Sequence, residues 1–407
     1  MRGIVTRIVL STQKCLPSVN CTRRYYSKQK DISIVRQRLG RPGNHLKIGI
    51  VGMPNIGKST LFQILTKTNL GNPANYPFAT IDPVHAKAPV LDSQYELLCE
   101  IYQPKTRIPA QLTIYDTAGL TRNSSKGEGL GNAFLSNIRS VDALFQLVRA
   151  FPEAQVPHVE KSVDPVRDLQ IIQEELLLKD AEFLESYLKK EGRSPKTCAK
   201  ALDTARRALE VVLGKGRQIS KAEWNDEQIP ILNSLNLLTA KPVVYLVNMD
   251  QDDYLSDEQE ALKGIKEWVE KNSFGDQVIP LSVLFEEQLF MLTPEEAAQE
   301  CASLGKNSQL SEIICAGYSA LNLIHYFTAS EKIVQAWTIA DGSKAPDAAG
   351  IIHSDFKKKF VAGEVIKFSD FEKYKSVDAC KSVGKCKTKG KDYTVEPGDI
   401  IFWKIAR

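Results

Sequence analysis

Eight residues near the start of the chain, Gly52-Met53-Pro54-Asn55-Ile56-Gly57-Lys58-Ser59, follow the spacing G-x-x-x-x-G-K-S. These residue types at this spacing suit one chemistry, the cradling of a triphosphate. The two glycines let successive backbone N–H groups turn inward onto phosphate oxygens. The Lys58 ammonium can reach the β- and γ-phosphates, and the Ser59 hydroxyl can ligate Mg²⁺. Two further stretches extend the site. Thr80 lies in an Asn-, Gly- and Pro-rich segment, Asn69 to Pro83, and is expected to close onto Mg²⁺ and the γ-phosphate. Asp116-Thr117-Ala118-Gly119 reads D-x-x-G, an Asp acting through Mg²⁺ and a Gly119 amide free to bond the γ-phosphate.

Leu120 comes next, where many P-loop GTPases carry the Gln that orients the attacking water. A leucine cannot polarise water, so hydrolysis must use another device or be slow. The base site is expected at Asn248-Met249-Asp250-Gln251, where GTPases read N-K-x-D. Asn248 holds the phosphate loop. The fourth position would accept from guanine N1–H and the 2-amino group, but here it is Gln251, and the Asp sits one place early. A carboxamide both donates and accepts, so it does not reject adenine. Ser282, at the end of the apolar run Val278 to Leu281, is expected at the base pocket.

Strand, loop and helix must alternate to position these groups. Lys47–Val51 is an apolar strand, and a helix continues through Leu61, Phe62 and Leu65. Leu112–Tyr115, Ala143–Val148, Pro242–Val247 and Val278–Leu281 read as further buried strands, which favours a parallel α/β sheet. Between them, Asp164-Pro165 starts a helix, with Leu169, Ile172, Leu176, Phe183 and Tyr187 at helical spacing up to Glu191. Ser194-Pro195 starts a second, with Ala201, Ala205, Ala208 and Val212 on one stripe. Together they predict an antiparallel hairpin about 30 Å long. Helical patterns from Pro294 to about His325 close this part, and short β-rich runs from Phe327 suggest a separate small α+β domain. Its basic stretch Lys381, Lys385, Lys387, Lys389 and Lys391 is either a solvated face or a contact to RNA phosphates.

The formal net charge is +4, but residues 1–30 hold seven positive charges and no acid, which leaves residues 31–407 at −3. Overall charge therefore gives no argument for nucleic acid, and no specific DNA contact is expected. The N-terminal segment has the composition of a mitochondrial transit peptide, with Arg24-Tyr25-Tyr26-Ser27 resembling a matrix-processing site, so a mitochondrial (matrix) location is expected. No apolar run approaches the roughly 20 residues of a membrane span. The eight cysteines show no C-x-x-C and no Cys/His cluster, which reads as free thiols.

GMPNIGKST, YPFATIDP, DTAGL, GEGLGNAFLS, SVDPVRDLQIIQEELLLKD, KPVVYLVN and AWTIADGSKAPDAAGIIHSDF together resemble the Obg-like ATPase family of the YchF type, from about Leu46 to Lys404. The resemblance implies a Ras-like P-loop domain with a mostly parallel sheet (45–155 and 237–325), interrupted by a helical coiled-coil arm (156–236). A C-terminal TGS domain of ubiquitin-like fold (326–407) would follow, with 1–27 as the transit peptide. It implies hydrolysis of ATP in preference to GTP, a need for Mg²⁺, and association with ribosomes. By the same resemblance Asn55, Ile56, Gly57, Lys58, Ser59 and Thr60 hold the phosphates, Ser59 and Thr80 hold Mg²⁺, and Met249 meets adenine through its backbone beside Asn248. Asn55 resembles the loop asparagine of potassium-stimulated relatives, so K⁺ could supply a missing positive charge. The chain departs from the family at Gln251, where an acid is usual, and at Ser125, where many members have His. Two other readings stand beside the ATPase: a GTP-preferring Obg-type ribosome-assembly GTPase, and a nucleotide-stabilised ribosome-binding module with incidental hydrolysis.

Overall fold

The computed structural model describes residues 39–40, 43–44, 46–67, 85–117, 138–152, 162–193, 198–256 and 260–406. In chain order the first elements are β1 (Lys47–Val51), α1 (Lys58–Lys67), β2 (His85–Pro89), α2 (Ser93–Tyr102), β3 (Thr106–Ile108), β4 (Gln111–Asp116) and β5 (Ala143–Ala150). Next come α3 (Pro165–Glu191), α4 (Ala199–Leu209) and α5 (Gln228–Leu235). The sheet resumes with β6 (Val243–Met249), α6 (Gln251–Leu255), α7 (Glu260–Asn272), β7 (Gln277–Leu281) and α8 (Val283–Met291). Then follow α9 (Pro294–Leu304) and α10 (Leu310–Ala320).

The first sheet has the order β2-β4-β1-β5-β6-β7. Its neighbours are parallel except β2, which runs antiparallel to β4 at the edge. β5 and β6 are buried along their whole length, as largely apolar strands covered on both faces are, with Gln146, Arg149 and Asn248 buried among the apolar residues. The chain winds to one side of β1 and then to the other. The crevice this reversal opens lies at the carboxyl end of β1, where the glycine-bounded loop begins.

Asp164 caps α3 by accepting from Arg167 N at 3.0 Å, with Pro165 in the first turn. The helix runs to Glu191 as the spacing predicts, and its 27 residues, about 40 Å by rise per residue, exceed the length expected of the hairpin. Leu169, Ile171, Ile172 and Leu176 belong to the core of the sheet, while Leu177, Ala181 and Leu184 pack on Ala205 and Ala208 of α4 in a separate cluster. Only the second half of α3 is arm. Buried Asp180 fixes its middle by accepting from Leu238 N and Thr239 N, both at 2.8 Å. Ser194 and Pro195, the expected start of the second helix, lie outside the described residues.

The C-terminal elements are β8 (Leu323–Ala329), β9 (Ile333–Ala340), α11 (Ala345–Ile352), α12 (Ser354–Lys358), β10 (Phe360–Ile366), α13 (Phe368–Tyr374), α14 (Val377–Ser382), β11 (Lys387–Lys389) and β12 (Ile400–Ile405). β8 and β9 form a hairpin, α11 follows, and β12 returns parallel beside β8. That is the ubiquitin-like arrangement. Strand structure begins at Leu323, upstream of Phe327, because Asn322 takes a left-handed φ of 51° and stops the helical pattern there.

One strand was not legible beforehand. β3 leaves the first sheet and pairs parallel with β9, completing the second sheet in the order β11-β10-β12-β8-β9-β3. Helix α2 packs against β9 and β8 of that sheet. Asp92, its N-cap, accepts from Gln94 N at 2.9 Å and meets His325 Nε2 of β8 at 2.7 Å, with both side chains only 2% exposed.

Candidate nucleotide site

β1 passes into α1 through Gly52 to Gly57. A Cβ at Gly52 would lie 2.4 Å from Ile56 Cδ1 and 2.6 Å from the Leu147 carbonyl oxygen, so no larger residue fits. Gly57 has φ of 93°, and a Cβ there would press on Asn248 Nδ2 at 3.0 Å. Between them Asn55 takes φ of 58°, a conformation Asn tolerates better than most residues, and is exposed. The loop therefore passes twice through left-handed backbone angles, at Asn55 and Gly57.

Lys58 is buried, and its ammonium donates to the Met53 carbonyl at 2.5 Å. Burial lowers its pKa from 10.5 to about 8, against the opposing pull of the Asp116 carboxylate. An incoming phosphate would offer this cation a stronger, charged acceptor than a carbonyl. Ser59 Oγ donates to Asp116 Oδ2 at 2.9 Å. The other oxygen, Asp116 Oδ1, is buried and has no hydrogen-bond partner among the described residues. A hydroxyl and an under-used carboxylate at the positive end of α1 fit a hard divalent cation, so Ser59 and Asp116 would hold Mg²⁺. Thr117, inside the D-x-x-G, fastens the end of β4 to β1 by donating to Ile50 O at 2.5 Å.

Asn248 is the second anchor. It is buried, Nδ2 donates to the Ile56 carbonyl at 3.0 Å, and Oδ1 accepts from Val283 N at 3.0 Å. One carboxamide thus ties the phosphate loop to the start of α8. Met249 follows it, buried at the end of β6. Asp250 spends its carboxylate as the N-cap of α6, accepting from Asp252 N at 3.1 Å. Gln251 sits in the first turn and donates to Gln288 Oε1 of α8 at 3.0 Å. The Ser282 hydroxyl is fully buried and caps α8 through Phe285 N at 3.4 Å, so it is engaged in the fold rather than presented to a base.

The residues Asn55 to Thr60, Asp116 and Asn248 are brought together around the loop. Thr80 and Gly119, with Leu120 and Ser125, lie outside the described residues. Sequence reasoning missed Thr117 and Val283. Val283 acts through its backbone N–H, which no residue type announces. In the basic C-terminal stretch, Lys381 pairs with Glu364 at 3.2 Å and Lys385 with Asp370 at 3.1 Å. These two charges are partly answered within the domain.

A family model described as a 50S ribosome-binding GTPase matches residues 47–185, and the C-terminal model of the YchF GTPases, described as a protein of unknown function, matches 323–406. Obg-like ATPase 1 of Schizosaccharomyces pombe is 51% identical over 388 residues, covering 93% of this chain and 99% of that protein. Obg-like ATPase 1 of Saccharomyces cerevisiae is 46% identical, covering 92% and 98%. The solved structure of the S. pombe YchF GTPase superimposes with a TM-score of 0.84 at 51% identity, covering 90% of this chain and all of that one. The loop, the Ser59–Asp116 pair and these relatives agree: the chain belongs to the Obg-like ATPase family of the YchF type and is a P-loop nucleotide hydrolase.

Proposed function

We propose that this chain is an Mg²⁺-dependent nucleoside-triphosphatase that hydrolyses ATP in preference to GTP and acts as a ribosome-associated switch in mitochondria. One observation carries the base preference. A guanine reader needs a carboxylate aimed at N1–H and the 2-amino group. At the end of β6 the adjoining carboxylate, Asp250, is turned back onto Asp252 N, and the fourth position is the neutral Gln251, bonded to Gln288. Relatives named Obg-like ATPase at 44–51% identity support the same preference.

In this reading the backbone amides from Asn55 to Thr60 and the Lys58 ammonium hold the β- and γ-phosphates. Asn248 keeps Ile56, and with it the loop, in register. Mg²⁺, when bound at Ser59 and Asp116, supplies charge neutralisation across the two phosphates. The exposed Asn55 could offer an oxygen to K⁺ beside the phosphates, which suits a chain with Leu120 at the usual glutamine position. The ribosomal partner follows the description of the family model over residues 47–185, and the mitochondrial setting rests on the basic, acid-free N-terminal segment.

The test is titration of the protein from Ser27 to Arg407 with ATP and with GTP, with turnover measured in K⁺ and in Na⁺. Tighter binding of ATP and faster turnover in K⁺ are expected. Tighter binding of GTP sinks the ATPase assignment. Equal turnover in both salts removes the role given to Asn55 and leaves the base preference standing.

A further inference from the structure

Helix α8 starts directly behind the phosphate loop and turns two unlike faces outward and inward. Inward go Val283, Phe285, Glu286 and Leu289, all buried. Outward, Leu284 is 51% exposed and Met291 76% exposed, with Leu292 just beyond at 39%. Leu284, Gln288 and Met291 stand at helical spacing on one face. Large apolar side chains grouped at a surface mark a contact more often than a lone exposed leucine does.

The surroundings are acidic. From Val283 to Gly305 the sequence has no Lys, Arg or His, while Glu287, Glu295, Glu296 and Glu300 reach the surface. Helix α9 is capped at both ends, by the Thr293–Glu296 capping box and a left-handed Gly305, yet buries no residue of its own. On the opposite flank the Gln251–Gln288 hydrogen bond sets α6 beside α8, bringing the exposed Asp252 and Asp253 alongside. An apolar strip is thus bordered by carboxylates on two sides.

We propose that the α8–α9 shoulder docks a cationic amphipathic helix of another polypeptide. Its apolar side would lie on Leu284, Met291 and Leu292, and its Lys and Arg side chains would meet the flanking carboxylates. Charge complementarity selects this occupant. Lys306, over the Tyr254 ring of α6, is a cation beside this rim. A nucleic acid would still bring phosphates against mostly carboxylates, and a second copy would bring the same carboxylates against themselves. The site also bears on nucleotide binding, because the first N–H of α8, on Val283, holds the Asn248 carboxamide that holds Ile56. A partner on α8 rests on the helix that positions the phosphate loop.

The probe is a fluorescein-labelled helix of Leu and Lys, about 18 residues with one apolar face, titrated by anisotropy into the full chain near physiological salt. Leu284→Ser with Met291→Ser is expected to weaken it about tenfold, and Glu295→Lys with Glu300→Lys to weaken it about as much, with less loss at high salt. All four side chains are exposed, so unchanged melting curves accompany these losses. An oligolysine of equal charge is expected to bind at least about tenfold more weakly. Unchanged binding in either double variant, equal binding of oligolysine, or displacement by a single-stranded RNA overturns the proposal. So does tighter binding of a peptide of residues 1–26, which would make the chain's own N-terminus the occupant.

Discussion

Asn248 offers the sharpest test of how the site is built. Its carboxamide is buried and makes two hydrogen bonds at 3.0 Å, one to the Ile56 carbonyl and one from Val283 N. Asn248→Ala leaves both backbone groups unpaired, at about 1–3 kcal/mol each, less whatever water can recover at the mouth of the crevice. A loss of about 3 kcal/mol in folding stability is expected, read from urea unfolding. If about half of that penalty reflects a loosened loop, the Kd for ATP rises about tenfold. A second variant reaches the same bond without touching Asn248. Val283 is the first residue of α8 and follows the extended Ser282, so proline is conformationally admissible there. Val283→Pro deletes the N–H and sets a ring carbon against Asn248 Oδ1, displacing the carboxamide. Isothermal titration with ATP should give both variants a similar rise in Kd. Two folded variants that bind ATP as the parent does would refute the claim that this carboxamide anchors the loop.

Two further outcomes follow from buried acids away from the phosphates. Burial raises the Glu286 pKa from 4.5 to about 7, opposed by hydrogen bonds from Ser308 and Gln309. The folded state therefore binds more protons than the unfolded chain between about pH 4.5 and 7, and Glu286 contributes stability below that window that is lost as pH rises through it, about 3 kcal/mol by the size of the shift. Glu286→Gln should flatten that slope in urea unfolding followed from pH 5 to 8, and an unchanged slope would show the acid is not its source. At the other sheet, Asp92→Ala removes an α2 cap and strips His325 of its Nε2 partner, while His325 Nδ1 has no partner among the described residues. A cost of about 2–4 kcal/mol is expected, with Asp92→Asn, which keeps the cap, losing clearly less. Equal losses in the two variants would remove the cap, which asparagine retains, from the account.

The phosphate site was legible because its chemistry is carried by residue types. Gly52, Gly57, Lys58, Ser59 and Asp116 each have a side chain, or lack one, for a reason spacing alone reveals. The strands β1, β5 and β6 were legible because burial on both faces makes most of their residues apolar. Three things were not. Val283 acts through its backbone, so its identity says nothing. The Ser282 hydroxyl looked available for a ligand, but the same hydroxyl is a strong helix cap, and the helix start at Val283 takes it. β3 is a short segment, Thr106-Arg107-Ile108, with no periodicity to separate it from a loop, and its partner β9 lies far along the chain.

That short strand changes how the two halves relate. β3 belongs to the second sheet and β4 to the first, and only Pro109 and Ala110 join them. Proline fixes its own φ, and Ala110 is buried with its carbonyl accepting from Val90 N at 2.8 Å, so the link has little freedom to bend. At the far end of β4 stands Asp116, which takes the Ser59 hydrogen bond and would meet the metal. The strand that ends at Asp116 is therefore nearly continuous with a strand of the ubiquitin-like sheet. The buried Asp92–His325 contact braces the same junction from α2. A tether of loose residues would let the C-terminal sheet drift whatever the nucleotide did. Here only two constrained residues separate β4 from the strand that pairs with β9.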